Sequence, residues 1–448
     1  MFSFFRDVKN GKINSVVFIF FKQPIRYKRK ECERLREKKW QLLLVMVIFI
    51  LTIGTLIFIN IRAKGGINQF LGIYGSIMIS YLLIKMLLSF RYKVKKGEAP
   101  NLKVSVVIPS YNEKPDAVIK TVRSILEQDY PIHEVFFIDD GSQDISGYEA
   151  IERMKEEEKI DNLLVHRLEK NAGKRHAQIW AFERITGDII FTVDSDGYVY
   201  PNAVRELLLP FTDEKVMAVT GHINARNKHE NWFTKLLDMR YDNAFRVERA
   251  AQSVTGNVLV CSGPISCYRS EVIIDNLDHY KNQRFLGEEV QFGDDRCLTN
   301  YAILRGKTLY QSTARCDTDV PSSLRQFIKQ QVRWNKSFFR ESLIALKIGI
   351  KKPKTLIWVL LEMSLWILFG FVLIFALLFK VKTFGLVMAI YYLSYVALSA
   401  YARNVFYILK HPLVFLMAPL YGLIHLCLLF PLRIYALATI KSNGWGTR

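Results

Sequence analysis

The chain has 448 residues, half of them hydrophobic, a formal net charge of +20 and six cysteines. That length allows one large globular domain plus a membrane part. The charge does not describe a nucleic-acid binder, because Lys and Arg cluster beside apolar blocks rather than striping a face among aromatics, and no cysteine pair has the CxxC spacing of a zinc site.

Residues 1–40 are basic, with one short apolar run at 16–21. The run is too short for a bilayer, which takes about 20 residues. No small-residue cleavage site follows it, so the segment is expected to stay, cytosolic or lying at the interface. Residues 41–61 and 70–90 are apolar and long enough to span, the second with a single Lys85. Basic residues flank the outer ends of the pair, up to Lys39 and from Arg91 to Lys96. Segment 41–90 is therefore a predicted transmembrane hairpin with both ends cytosolic.

Residues 91–320 change character. Short runs rich in β-branched residues at 104–109, 135–138, 163–168 and 189–193 alternate with stretches of helical period, such as 116–127 and 172–185. Such alternation predicts an α/β domain with a mostly parallel sheet, helices on both faces and ligands at the carboxyl ends of the strands. In 321–350, Leu324, Phe327, Ile328 and Val332 recur at helical spacing among basic residues, predicting an amphipathic helix at the membrane surface. The region 351–440 holds spans at 355–379 and 384–409, then an apolar block at 412–438 interrupted by Pro419 and Pro431. That block reads as re-entrant or as two crossings. A short tail, 441–448, follows.

Polar residues gather where the predicted strands end. After 104–109 come Tyr111, which can pack on a flat base, and Glu113, which can accept from a base N–H or a ribose hydroxyl; a plain strand-to-helix turn is the bland alternative. Asp139 and Asp140 end the next strand, as nucleoside ligands or as a solvated Asx turn. Gly173 opens a helix with Lys174 and Arg175 in its first turn, where cations oppose the helix dipole and a phosphate is the natural partner. Asp194 and Asp196 share one strand end, the spacing of hard oxygen donors for Mg²⁺ or Mn²⁺ beside a diphosphate. Asp294 and Asp295 follow a Gly turn; the second is the candidate general base and the first the candidate helix cap. Gln330, Arg333 and Trp334 lie on one side of the amphipathic helix, where the indole can stack on a sugar or anchor at the interface.

The order SYNE, DD, NAGKR, DSD, GDD and QxxRW resembles the processive family 2 glycosyltransferases. The segments GDDRCLTNYA, YQSTARCDTDVP, QQVRWNKSFFRES and the terminal WGTR resemble the class I bacterial hyaluronan synthases in particular. The resemblance implies a GT-A (Rossmann-like) cytosolic catalytic domain inserted between transmembrane α-helices of the cell membrane. It implies UDP-GlcNAc and UDP-GlcA as donors, Mg²⁺ or Mn²⁺ as cofactor, and a growing hyaluronan chain and membrane lipids as partners. Carried over residue by residue, Tyr111, Glu113 and Asp140 would contact uridine, Lys174 the diphosphate, and Asp194 the nucleotide. Asp196 would ligate the metal and Asp295 would be the base. Cys261, Ser262 and Gly263 would neighbour the acceptor, Gln330, Arg333 and Trp334 would line the donor and acceptor sites, and Trp445 and Arg448 would close over bound UDP-sugar. The alternatives are a chitin-type synthase using UDP-GlcNAc alone and a sugar-nucleotide sensor without catalysis, which would need no base.

Overall fold

The computed structural model of the protein describes residues 39–64, 69–379 and 381–442. The chain divides into a unit Met1–Leu44 and a unit Val45–Arg448, and the second carries all the contacts that follow. The apolar run at 16–21, Trp445 and Arg448 lie outside the described residues.

The expected hairpin is present as helices Lys39–Lys64 and Gln69–Arg91. Among the described residues, four helices are long and apolar enough to cross a membrane: Leu43–Ile61, Ile73–Arg91, Pro353–Val372 and Ala418–Ala438. Leu51, Leu87 and Leu378 point outward and exposed, as side chains facing lipid do. The span expected at 384–409 is a helix, Val381–Arg403, followed by a 3₁₀ turn at Val405–Leu409. The block at 412–438 holds a single candidate span, Ala418–Ala438: Pro419 falls in its first turn, where a missing N–H costs nothing, and Pro431 follows a π turn at His425–Leu429. Its inner side packs on the catalytic domain: Leu429 meets Phe233 and Phe327, and Ala418 meets Leu236 and Met239.

Between the hairpin and the last helices lies a three-layer α/β domain. Its strands are β1 Val104–Ser110, β2 Glu134–Asp139, β3 Leu163–Arg167, β4 Ile189–Thr192, β5 Tyr198–Val199, β6 Val216–Ala225, β7 Ser266–Arg269, β8 Arg284–Phe285, β9 Glu288–Glu289 and β10 Lys307–Thr318. The main sheet has the order β3-β2-β1-β4-β7-β6-β10-β5. The half β3-β2-β1-β4 is parallel, as the βα alternation predicts. The other half is mixed: β7 runs antiparallel to both β4 and β6, and β10 lies parallel to β6. The sheet is thus less parallel than the sequence suggests. Val106, Val107, Ile108, Phe136, Phe137 and Ile190 are fully buried, which explains the continuous apolar runs of strands covered on both faces.

A bent helix links this domain to the membrane helices. It begins at Trp232–Asn243, capped by a reciprocal box between Asn231 and Thr234, passes through a π turn at Ala244–Arg249 and ends as Ala250–Val254. Lys85 of the second membrane helix pairs with Glu248 of the π turn at 3.4 Å. Trp358 Nε1 donates to Thr255 Oγ1, and Thr355 bonds Asn257. The amphipathic helix predicted at 321–350 is Leu324–Lys351, with the Ser323 hydroxyl accepting from the Gln326 N–H at its start.

Candidate active site

The tips of β1 and β2 are tied together by their own side chains. Asn112 sits at φ 51°, a conformation Asn tolerates. Its N–H donates to Ser142 Oγ and its Oδ1 accepts from the Gln143 N–H. Asp139 accepts from Ser142 and pairs with Arg167 at 3.3 Å, so it secures the turn rather than facing the site. Asp140 faces the site but also accepts from the Ala172 and Gly173 N–H groups at 3.0 and 2.8 Å. These are the amides expected to point freely at an anion. Burial raises the Asp140 carboxyl, and the two amide bonds pull it back down.

The basic turn after Gly173 also finds partners within the protein. Lys174 Nζ lies 2.5 Å from Asp194 Oδ1. Burial works against the ammonium, but Asp194 and Asp295 outweigh it and hold Lys174 above the usual lysine range. Arg175 does not face a phosphate. It is buried, with Nε 2.8 Å from Asp294 Oδ1 and Nη1 2.8 Å from Gln283 Oε1. Asp294 is correspondingly not a cap: Gly293, at φ 98°, holds the cap position, and Asp294 starts the helix Asp294–Arg305 as half of a buried ion pair.

Asp295, the next residue, opens onto the site. Burial raises its carboxyl, Asp194 adds to the rise, and Lys174 and the Gly263 N–H oppose it. Gly263 is pressed against this group. A Cβ there would lie 2.8 Å from Asp295 Oδ1 and 3.2 Å from Lys174 Nζ. The acceptor loop of the sequence reading and the candidate base are thus in direct contact. Cys261 is the exception in that loop: its side chain turns into the core, and its thiol is pushed up to about 12 by burial.

One cavity of ≈ 1910 Å³ gathers most of the sequence candidates. Tyr111, Glu113, Asp140, Lys174, Asp194, Asp196, Ser262, Asp295, Gln330, Arg333 and Trp334 all line it. It continues past them to Tyr81, Glu362, Tyr395, Ser399 and His425 on the membrane helices. Lys336 donates to the Ser442 carbonyl at 2.9 Å, so the described chain ends beside the helix bearing Gln330, Arg333 and Trp334.

No group of three or more His, Cys, Asp and Glu side chains is gathered for a metal among the described residues. Asp196, with Thr318 Oγ1 at 3.5 Å, and the second oxygen of Asp194 supply two hard carboxylates at one strand tip. That donor set fits a Mg²⁺ or Mn²⁺ whose remaining ligands are diphosphate oxygens and water, the usual way such ions are held with nucleotides.

Sequence reasoning missed Arg226, Arg249 and Arg296, which also line the cavity. Arg226 pairs at 2.6 Å, beside Asp196, with Asp319, which belongs to the run YQSTARCDTDVP. Arg296 directly follows the candidate base, a position the sequence could have flagged. Arg249 carries no local signal, since its neighbour Ser262 is distant in the chain.

Comparison with known proteins accords with this geometry. Glycosyl transferase family 2 matches residues 105–277. A hyaluronan synthase of Streptococcus pyogenes is 52% identical over 90% of this chain and 97% of its own. An N-acetylglucosaminyltransferase of Mesorhizobium japonicum is 37% identical over 77% of this chain and 81% of its own. A mannosyltransferase of Pyrobaculum calidifontis, solved with GDP-mannose and Mn²⁺, superposes with a TM-score of 0.59 at 18% identity, covering 88% of this chain and all of that one, and so shares the GT-A fold.

Proposed function

The chain belongs to the hyaluronan synthases, processive members of glycosyl transferase family 2, and from that premise we propose that one site adds GlcNAc and GlcA in turn from their UDP donors. The observation that carries the proposal is the shared cavity: the carboxylates Asp194, Asp196 and Asp295, the Gln330–Trp334 turn and the membrane helices face one space.

In this reading Tyr111, Glu113 and Asp140 receive the uridine, with Asn112 and Ser142 holding their loops in register. Lys174 leaves Asp194 in part to meet the diphosphate. Asp196 and Asp194 would hold Mg²⁺ or Mn²⁺, which when bound neutralises charge on the departing UDP. Asp295 takes the proton from the acceptor hydroxyl as that oxygen forms its bond to the anomeric carbon and the bond to UDP breaks, with inversion. Its raised carboxyl favours that role, because a base is most effective with a pKa near working pH. Trp334, 44% exposed in the cavity wall, offers a flat face for the acceptor sugar. Trp445 and Arg448 lie outside the described residues, and a role in closing over the donor rests on the resemblance alone.

The polymer leaves by the inner half of the cavity, because sugar hydroxyls stripped of hydrogen bonds do not cross hydrocarbon. Basic flanks at both ends of the 41–90 hairpin support a catalytic domain on the cytosolic face of the plasma membrane, with lipid against the exposed leucines. The test is to incubate purified full chain in lipid with each UDP-sugar alone and with both, with and without chelator. Polymer should form only with both sugars and a divalent ion. Polymer from UDP-GlcNAc alone, indifferent to UDP-GlcA, would mean a chitin-type enzyme instead.

A further inference from the structure

The acceptor side of the cavity holds two guanidinium groups, Arg249 and Arg296, that form no ion pair of their own among the described residues. Arg249 donates from Nη2 to Ser262 Oγ at 2.9 Å and from Nη1 to the Ala244 carbonyl at 3.3 Å, and stacks on Phe245 with 4.3 Å to the ring centroid. Its Nε is buried without a hydrogen-bond partner. The nearest carboxylate, Glu248, is already taken by Lys85 at 3.4 Å and Arg240 at 3.7 Å. Arg296 lies over Phe338, 5.1 Å from its centroid, and forms no hydrogen bond or ion pair among the described residues. Both line the cavity.

Their positions follow from contacts already described. Arg249 holds Ser262, whose neighbour Gly263 presses on Asp295, and Arg296 follows Asp295 in the chain. The pair therefore flanks the place where an acceptor hydroxyl must sit to reach the base. A buried cation without an ion pair of its own is costly, and an anionic group on the acceptor would supply one. Burial lowers the pKa of both groups, against the pull of Glu248 on Arg249 and of Glu362, Glu341 and Asp295 on Arg296.

We propose that Arg249, flanked by Arg296, forms a subsite that binds the carboxylate of a hexuronate ring at the acceptor end of the growing chain. The assignment rests on the two-sugar reading above. Arg249 donates one bond from each Nη atom and none from its Nε, so its planar fork keeps donors for a carboxylate. It acts when the chain ends in the uronate and the incoming sugar is the neutral one. The same chemistry is present on the UDP-GlcA donor, so the experiment must separate the two sources.

Full-length protein in lipid is allowed to polymerise until one donor is exhausted, leaving chains that end in GlcA or in GlcNAc, and then receives only the missing labelled donor. In Arg249→Gln, addition of GlcNAc to GlcA-ended chains should fall by about tenfold or more, as expected for loss of a charge-assisted pair, while addition of GlcA to GlcNAc-ended chains changes far less. Arg249→Lys should recover part of the lost step. Equal losses in both steps with Arg249→Lys no better, a loss confined to GlcA addition, or a KM rise shared by both donors would each overturn the subsite. Wild-type protein that builds polymer without UDP-GlcA would instead sink the two-sugar reading beneath it.

Discussion

The two ends of the cavity are built on opposite plans. At the nucleotide end, polar side chains satisfy one another: Asn112 with Ser142 and Gln143, Asp139 with Arg167, Asp140 with the amides of Ala172 and Gly173. Where the acceptor meets the donor, charges crowd together: Lys174 is held by Asp194 and Asp295, the Asp295 carboxyl is raised, and Arg249 keeps a buried Nε without a hydrogen-bond partner. A UDP moiety is the same at every step, so a rigid, self-satisfied cradle suits it. An acceptor that changes from one ring to another meets groups whose bonds are completed only when it arrives. Pre-formed hydrogen bonds favour repeatable binding, and unspent charge favours chemistry.

The largest effect should come from the crowded end. Asp295→Asn is expected to lower polymerisation by roughly 10²–10⁴-fold while UDP still binds, as loss of a general base does; a Kd for UDP measured alongside the rate checks this. The wild-type rate should climb with pH through a midpoint above the ordinary Asp range, because only the deprotonated carboxylate accepts the proton, and the variant should lack that limb. The sign for stability is the reverse. A carboxyl raised in the folded state binds more protons folded than unfolded across that window, so stability falls slightly as pH rises through it.

Next comes a steric probe. Gly263→Ala should drive Asp295 and Lys174 from their places and lower kcat by about tenfold to 10²-fold, the usual result of a displacement near 1 Å. Unaltered turnover would show that these side chains yield at little cost. Breaking the buried pair with Arg175→Met should act on stability rather than on the donor site. It leaves the buried Asp294 without its ion-pair partner, a loss of about 3–5 kcal/mol, read as a lowered Tm. The double variant with Asp294→Asn should recover part of it. The smallest change belongs to the self-satisfied end: Asn112→Ala removes the two bonds that its Oδ1 accepts from the Gln143 and Asp144 N–H groups and should raise KM for both UDP-sugars only a few-fold, with each hydrogen bond worth about 1 kcal/mol.

The same contrast explains what the sequence made legible. The parallel half-sheet announces itself, because strands buried on both faces become apolar runs such as VSVVIP and each ends in a polar tip. β10, reading KTLYQSTARCDT, is largely polar and shows no such run, and β7 is only four residues long, so the mixed half was invisible. The carboxylates at strand and helix tips were found by type, but their division of labour was not. Asp139 and Asp140 are adjacent and do different work, as do Asp294 and Asp295, because the deciding partners, Arg167, Gly173, Arg175 and Gly263, are distant in the chain. The cap role expected for Asp294 and the phosphate role expected for Arg175 dissolved into one ion pair for that reason.

The π turn at Ala244–Arg249 has one more consequence. Each residue of an α-helix advances about 100° around the axis, and a π turn accommodates an extra residue without ending the helix. Arg240, Tyr241, Ala244, Phe245, Glu248 and Arg249 all line the cavity across that turn. Removing a single residue there would regularise the backbone ladder and, by the same act, swing everything downstream about the axis, carrying Glu248 away from Lys85 and Arg249 away from Ser262. The irregularity works as a phase adjuster, keeping the face that meets the sheet and the face that meets the bilayer helices in step.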